Sequence, residues 1–447
     1  MSKKILFFFL FFLFLFPLYT AAQEPEAEDI TSQISLPSNL TDRDLSTAVS
    51  DAAIQIHSPV PVRGVYLVWN QVPETLSLQF GEGSAVTYSS GFLHQYLTVN
   101  NLEDFSLFWE DKNAALAEIY IFSEGKLPGW VQVWKEPCSK ADLLLLPAHA
   151  DDEHLFFGGT IPVYAGQRGL AVQVAYMTFH TKDRWHELLD GLWTAGDTHY
   201  PVIPPFKDLY CETYEQAQNL YDEDAILEYY VELIRKFKPE AVIGHDLNGE
   251  YGHGAHMLSA RMLAKALERS GDASFFPDSY ADYGGWNVKK CYLHLYEKNK
   301  VVLLWDEPLS AFGGKTGAEV AKESYAKHVS QQGFFKFSVT GGMGCAYFGL
   351  YRSIVGSDDV GNDFLENIPA EDLTTYVPVV VEGTEPEKTT ETEKPPTEMN
   401  SPTEKAYDHI AYEVEIDRTE VFVMIAVLFF SALITGIIMF IMKKRNR

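Results

Sequence analysis

Short apolar runs and helix-spaced apolar residues divide the chain into two patterned stretches. Between residues 31 and 137 the runs are brief and alternating or aromatic: 64–69, 76–80, 95–99 and 117–122, separated by Gly, Pro and Asn. Such runs, with turn residues between them, predict an antiparallel β-sandwich. From residue 141 the pattern changes. Apolar runs at 142–146, 171–178, 241–244 and 289–296 alternate with helical spacing at 153–168, 184–195, 219–237 and 254–269. That alternation predicts an α/β domain, residues 141–376, around a mostly parallel sheet flanked by helices. In such sheets ligands bind beyond the carboxyl ends of the strands. A further helical stretch is expected over 318–332.

The two ends read differently. Lys3 and Lys4, an apolar run and the small residues Thr20 to Ala22 predict a secretory signal over 1–22. Residues 382–405 are almost wholly Thr, Glu, Pro and Lys and cannot bury enough apolar surface to fold, so 382–420 is expected to be a disordered stalk and juxtamembrane linker. Residues 421–442 carry no charge and are long enough to cross a bilayer, and the basic tip 443–447 follows at once. The positive-inside rule then predicts a single-pass cell-membrane protein, anchored by one C-terminal helix, with its folded part outside.

Composition narrows the function. With 62 acids against 35 bases the net charge is −27, which makes nucleic acid a poor partner. The four cysteines, Cys138, Cys211, Cys291 and Cys345, are widely spaced; they could form up to two disulfides, in any of three pairings. Spacing sets no oligomeric state.

The candidate chemistry sits after two apolar runs. The first ends at Ala148 and is followed by His149, Ala150, Asp151, Asp152 and Glu153. One imidazole and adjacent carboxylates could hold a metal there, or the acids could simply cap a helix. The third run ends at Gly244 and leads through His245 and Asp246 to Gly249, Glu250, Tyr251, Gly252, His253, Gly254, Ala255 and His256. His253 and His256 are three apart on an incipient helix and share a face. Two such clusters at equivalent strand ends of one sheet favour a shared metal over surface histidines.

Together these two stretches resemble the paired signature of the PIG-L/LmbE-like N-deacetylases, a similarity covering residues 141–296. Arg184 and Glu187 match an Arg-x-x-Glu element of that family, whereas Ala150 and His180 depart from its commoner residues. The resemblance implies a Rossmann-like domain in which His149, Asp152 and His256 bind Zn2+, Asp151 is the general base, and His253 stabilises the oxyanion or protonates the leaving amine. Tyr251 would be a mobile hydrogen-bond donor. The chemistry agrees: three N/O ligands leave zinc a fourth position, as in catalytic sites. His245 and Asp246 are candidates to orient the ligands, and His328 and Gln331, in a His-x-Ser-Gln element, to touch substrate. His154, His186, His199 and His294 are expected at the surface or hydrogen-bonded inside. The expected activity is removal of acetyl from an N-acetylated sugar of the N-acetylglucosamine type, in a glycan or glycoconjugate outside the membrane. The alternatives are an amidohydrolase acting on a non-sugar acylated amine, or a carbohydrate-binding surface protein. In the last case residues 40–47, which resemble a loop of discoidin-like sandwiches, and Trp69, Trp109 or Trp134 would do the binding.

Overall fold

The computed structural model describes residues 25–50, 53–80, 84–89 and 91–375. The expected signal (1–22), stalk and linker (382–420), membrane span (421–442) and basic tip (443–447) lie outside the described residues. Among the described residues no helix is long and apolar enough to cross a membrane.

The first stretch forms β1 (Ala53–Gln71), β2 (Thr75–Phe80), β3 (Ser84–Ser89), β4 (His94–Phe108) and β5 (Ala115–Phe122). They make one antiparallel sheet in the order β3-β2-β4-β1-β5. This corrects the expected pair of packed sheets: the long strands β1 and β4 run through both halves of a single sheet. The break between the halves is written in the sequence. Pro59 and Pro61 have no backbone N–H to give a ladder, and the β1–β4 register slips between His57 and Val62. On β4 the same level carries Asn100 and Asn101 at φ 59° and 63°. Beyond the slip β1 is buried on both faces. Val65, Leu67 and Trp69 join the main core, while Tyr66 and Val68 pack with Phe122 and Val131. Trp69, Trp109 and Trp134 are all buried, so none offers a face to a sugar.

The second sheet is mixed, in the order β10-β11-β9-β8-β6-β7. Its parallel part is β6 (Leu143–Leu145), β7 (Val172–Val174), β8 (Ala241–Gly244) and β9 (Lys290–His294). The extension β10 (Lys300–Val302) and β11 (Tyr347–Ser353) is antiparallel. The helices are α1 (Asp152–Leu155), α2 (Lys182–Thr194), α3 (Tyr214–Leu220), α4 (Glu223–Phe237), α5 (Gly254–Arg269), α6 (Pro277–Tyr283) and α7 (Gly317–Tyr325). Strands β6 and β8 are nearest neighbours, Leu145 facing Ile243. That adjacency brings together motifs that are about a hundred residues apart in the chain.

Three expected helices are shorter than their apolar spacing suggested. The one over 153–168 stops after a turn, because Gly158 adopts φ 48° and a Cβ there would collide with Cys345; the chain resumes as a π-helical segment, Pro162–Gln167. The one over 219–237 starts only at Glu223, where the Asp222 carboxylate accepts from the N–H groups of Asp224 and Ala225. The stretch over 318–332 ends at Tyr325, with a separate 3-10 turn at Val329–Gln331. All four cysteines are buried and unpaired, so neither of the two possible disulfides is present.

Candidate active site

The chain leaves β6 through Pro147 and Ala148 and turns sharply at Asp151, whose φ of 131° and ψ of −26° lie outside ordinary L-residue space. Such strain persists only where surrounding contacts over-determine it. Here the Asp151 N–H donates to Glu153 Oε2 at 2.9 Å. The Arg184 guanidinium, from α2, donates to the Ala150 carbonyl and lies 3.3 Å from Asp151 Oδ1. Burial and the neighbouring Asp152 charge push the Asp151 carboxyl well above its usual range, against the pull of Arg184.

The turn directs His149 and Asp152 toward His256, on the first turn of α5. His149 Nδ1 is 3.1 Å from both Asp152 Oδ2 and His256 Nε2, and His256 Nε2 is 3.3 Å from Asp152 Oδ2. A tetrahedral ion with ligands at about 2.0–2.1 Å separates its donor atoms by about 3.3–3.4 Å, and this triangle has that size. All three residues are buried. These groups could hold a metal ion, as expected from the sequence.

The hydrogen bonds behind the triangle fix which ring nitrogen faces it. Glu250 Oε2 accepts from His256 Nδ1 at 2.7 Å and from His245 Nδ1 at 2.8 Å, and Glu250 Oε1 faces His294 Nδ1 at 2.7 Å. Donation from Nδ1 leaves the His256 Nε2 lone pair pointing at Asp152 and His149, the form a ligand needs. His245 Nε2 in turn accepts from the Ala148 N–H at 2.9 Å, and its ring stacks on His256 at 4.1 Å. Burial alone would raise the Glu250 carboxyl; the electrostatic attraction of His245 and the three histidine hydrogen bonds outweigh it and hold the group well below its usual range. Glu250 was missed as an orienting residue although it lies inside the second motif. Asp208 was also missed. It stands 3.7 Å from His149 Nε2 and 3.8 Å from Arg184, in a loop whose sequence carries no motif.

His253 caps α5, with its ring 4.9 Å from that of His149 and 4.7 Å from that of His256. Its Nδ1 is buried with no hydrogen-bond partner. Burial first, then electrostatic repulsion by the His149 and His256 rings, push it down to about 3. Tyr251 adopts φ 47° and is half exposed, its ring 5.5 Å from His253 and 4.9 Å from Phe335. All six expected site residues therefore gather in one place.

Several neighbours behave differently from expectation. Asp246 turns into its own loop, where Oδ1 accepts from the Asn248 N–H, and does not orient a ligand. Glu187 binds Ser330, through N at 2.7 Å and Oγ at 2.6 Å, rather than facing the triangle. His328 is fully buried beneath Glu153, and the Gln331 amide donates to Ser330 Oγ. His199 and His294 are hydrogen-bonded as expected. His186 bonds His94 at 2.7 Å but has an unpartnered Nε2, and both ring nitrogens of buried His154 lack partners.

No family model matches this chain. Among curated proteins it is 30% identical over 183 residues to the 1D-myo-inositol 2-acetamido-2-deoxy-alpha-D-glucopyranoside deacetylase of Rhodococcus opacus, covering 34% of this chain and 61% of that one. It is 25% identical over 184 residues to deacetylase 1 of that name from Catenulispora acidiphila, covering 35% and 56%. The chain thus spans little more than half the length of these relatives. Among solved structures, N,N'-diacetylchitobiose deacetylase from Pyrococcus horikoshii aligns at 18% identity over 44% of this chain and 72% of that one, with a TM-score of 0.32. Over about a third of its length this chain is similar to the PIG-L/LmbE-like deacetylases, by these sequence relatives.

Proposed function

We propose that the chain is a zinc-dependent hydrolase that removes acetyl from the acetamido group of a sugar of the N-acetylglucosamine type. The observation that carries this reading is the triangle of His149 Nδ1, Asp152 Oδ2 and His256 Nε2, with sides of 3.1–3.3 Å. Two imidazoles and a carboxylate suit zinc, and three protein ligands keep a position open. Zinc held there supplies a Lewis acid for an amide carbonyl at neutral pH.

The remaining work falls to the chain itself. Asp151, steadied by Arg184, takes the proton of the attacking water; its raised affinity for a proton suits a base that must later release it. His253 and Tyr251 face the place where the carbonyl oxygen gains charge and offer it hydrogen bonds. His253 also lies within reach of the leaving amine. The apolar wall of Phe156 and Phe335 beside Tyr251 limits water and strengthens these contacts.

The acetamido-sugar class is supported by the names of the two relatives and by the motifs shared with their family. Action outside the membrane, on a glycan or glycoconjugate, is proposed from the signal-like amino end and the charge-flanked apolar segment at 421–442. Purified full-length chain, loaded with zinc, is tested on a panel of acetamido sugars and non-sugar acetylated amines. Zinc-dependent acetate release from the sugars supports the reading. Release from the non-sugar amines alone replaces the substrate class, and no release from either overturns it.

A further inference from the structure

Resting on the deacetylase reading, we propose that Glu153, His328 and Glu187 form a positioning chain that holds Asp151 in its strained orientation, with helix α2 gripping that residue from two sides. One grip is direct. Arg184 reaches the Ala150 carbonyl and stands 3.3 Å from the Asp151 carboxylate.

The second grip is indirect and begins one helical turn further on. Glu187 accepts from Ser330 N at 2.7 Å and Ser330 Oγ at 2.6 Å, fixing the 3-10 turn Val329–Gln331 against α2. His328, two residues before Ser330, is thereby driven inward, where its Nε2 is 3.3 Å from Glu153 Oε1. His154 Nε2 approaches the same oxygen at 3.5 Å; these are close polar approaches, not hydrogen bonds. The other Glu153 oxygen accepts the Asp151 N–H. Glu153, His154 and His328 are all fully buried, and a buried carboxylate separated from its partners is costly enough to keep them together.

Helix α2 is built for this. Gly191 lies in its interior, where glycine costs about 1 kcal/mol against alanine. A Cβ at that point would stand 2.8 Å from both His154 Nε2 and His328 Nε2, so the missing side chain makes the space for the two imidazoles. Arg184 and Glu187, and the segment His328 to Gln331, thus hold one residue: Arg184 steadies its carboxylate, and the Glu187–Ser330–His328–Glu153 sequence steadies its backbone. None of the last four residues belongs to the triangle of His149, Asp152 and His256.

The test uses Glu187→Ala, His328→Gln, their double variant, Glu153→Gln and Glu153→Leu in the full-length chain. Glu187→Ala is expected to lower kcat about 10- to 100-fold, the range for outer partners of a catalytic site, with KM and metal content unchanged. The double variant should be no worse than the more impaired single one. Glu153→Gln, which keeps an acceptor for the Asp151 N–H, should retain most of the activity that Glu153→Leu loses. A readout independent of turnover is amide hydrogen exchange in residues 149–153, expected to quicken in Glu187→Ala. Unchanged exchange and kcat in Glu187→Ala, or a change confined to KM, overturns the proposal. So does a second metal ion per chain that disappears in His328→Gln, since an ion and not the direct approach of His328 to Glu153 would then bind the cluster. If wild type releases no acetate from any substrate, the deacetylase reading fails while the exchange measurement still judges the chain of contacts.

Discussion

His256 donates from Nδ1 to Glu250 Oε2 across 2.7 Å, and that bond decides which nitrogen faces His149 and Asp152. Glu250 thereby sets the metal site without entering it. Glu250→Gln is expected to weaken zinc binding about 10- to 100-fold, measured by competition with a fluorescent chelator. The reason is that an amide can offer a donor where the histidines need an acceptor.

Asp151 adjoins the ligand Asp152 in the chain and is not itself one of the three ligands. Asp151→Asn should keep one zinc per chain and lose at least about 100-fold in kcat, the lower end of a general base's contribution. Parallel metal analysis and acetate release measure both. Full turnover by the variant would remove Asp151 from its role.

Tyr251 offers a hydroxyl at the half-exposed mouth of the site. If it meets the oxyanion, Tyr251→Phe costs about 100- to 1000-fold in kcat with little change in KM. A rise in KM at constant kcat would instead make it a substrate-binding contact.

Much of this site was legible in the sequence because its chemistry is dense in two short motifs at the ends of adjacent parallel strands. What could not be read came from the other end of long-range contacts. Asp208 lies in a loop without a pattern and acquires meaning only when folding sets it beside His149 and Arg184. Glu153, Glu187, His328 and Ser330 all lie in visible motifs, but the pairing of Glu187 with Ser330 and of His328 with Glu153 is made only by folding. Helix ends were misjudged where glycine or a capping aspartate overrode apolar spacing, at Gly158 and Asp222. The single sheet in place of a sandwich turns on Pro59 and Pro61, which shift the register of β1 without ending it.

Strand β4 of the first sheet meets helix α2 through a buried pair, His94 Nε2 and His186 Nδ1, 2.7 Å apart. Burial lowers His94 to about 4, and burial with the His94 charge lowers His186 to about 3. An unfolded histidine takes up its proton near pH 6.5. The pair's contribution is therefore intact above pH 6.5 and falls as the pH drops toward 4, by on the order of 3 kcal/mol per group. Asp190 stands 3.8 Å from His94 and is raised by burial to about 6; its contribution runs the other way, lost as the pH rises from its unfolded value toward 6. The difference between wild type and His94→Gln isolates the histidine. Urea unfolding from pH 8 to 4.5 should show the wild type losing stability relative to the variant below pH 6.5. A constant gap would contradict the shift.

In the proposed site two separated stretches of chain share one metal ion. Anomalous diffraction at the zinc edge, from crystals of the zinc-loaded protein, locates that ion directly. The prediction is a single peak within about 2.0–2.2 Å of His149 Nδ1, Asp152 Oδ2 and His256 Nε2. A peak elsewhere, or no peak with all three side chains in place, would contradict it.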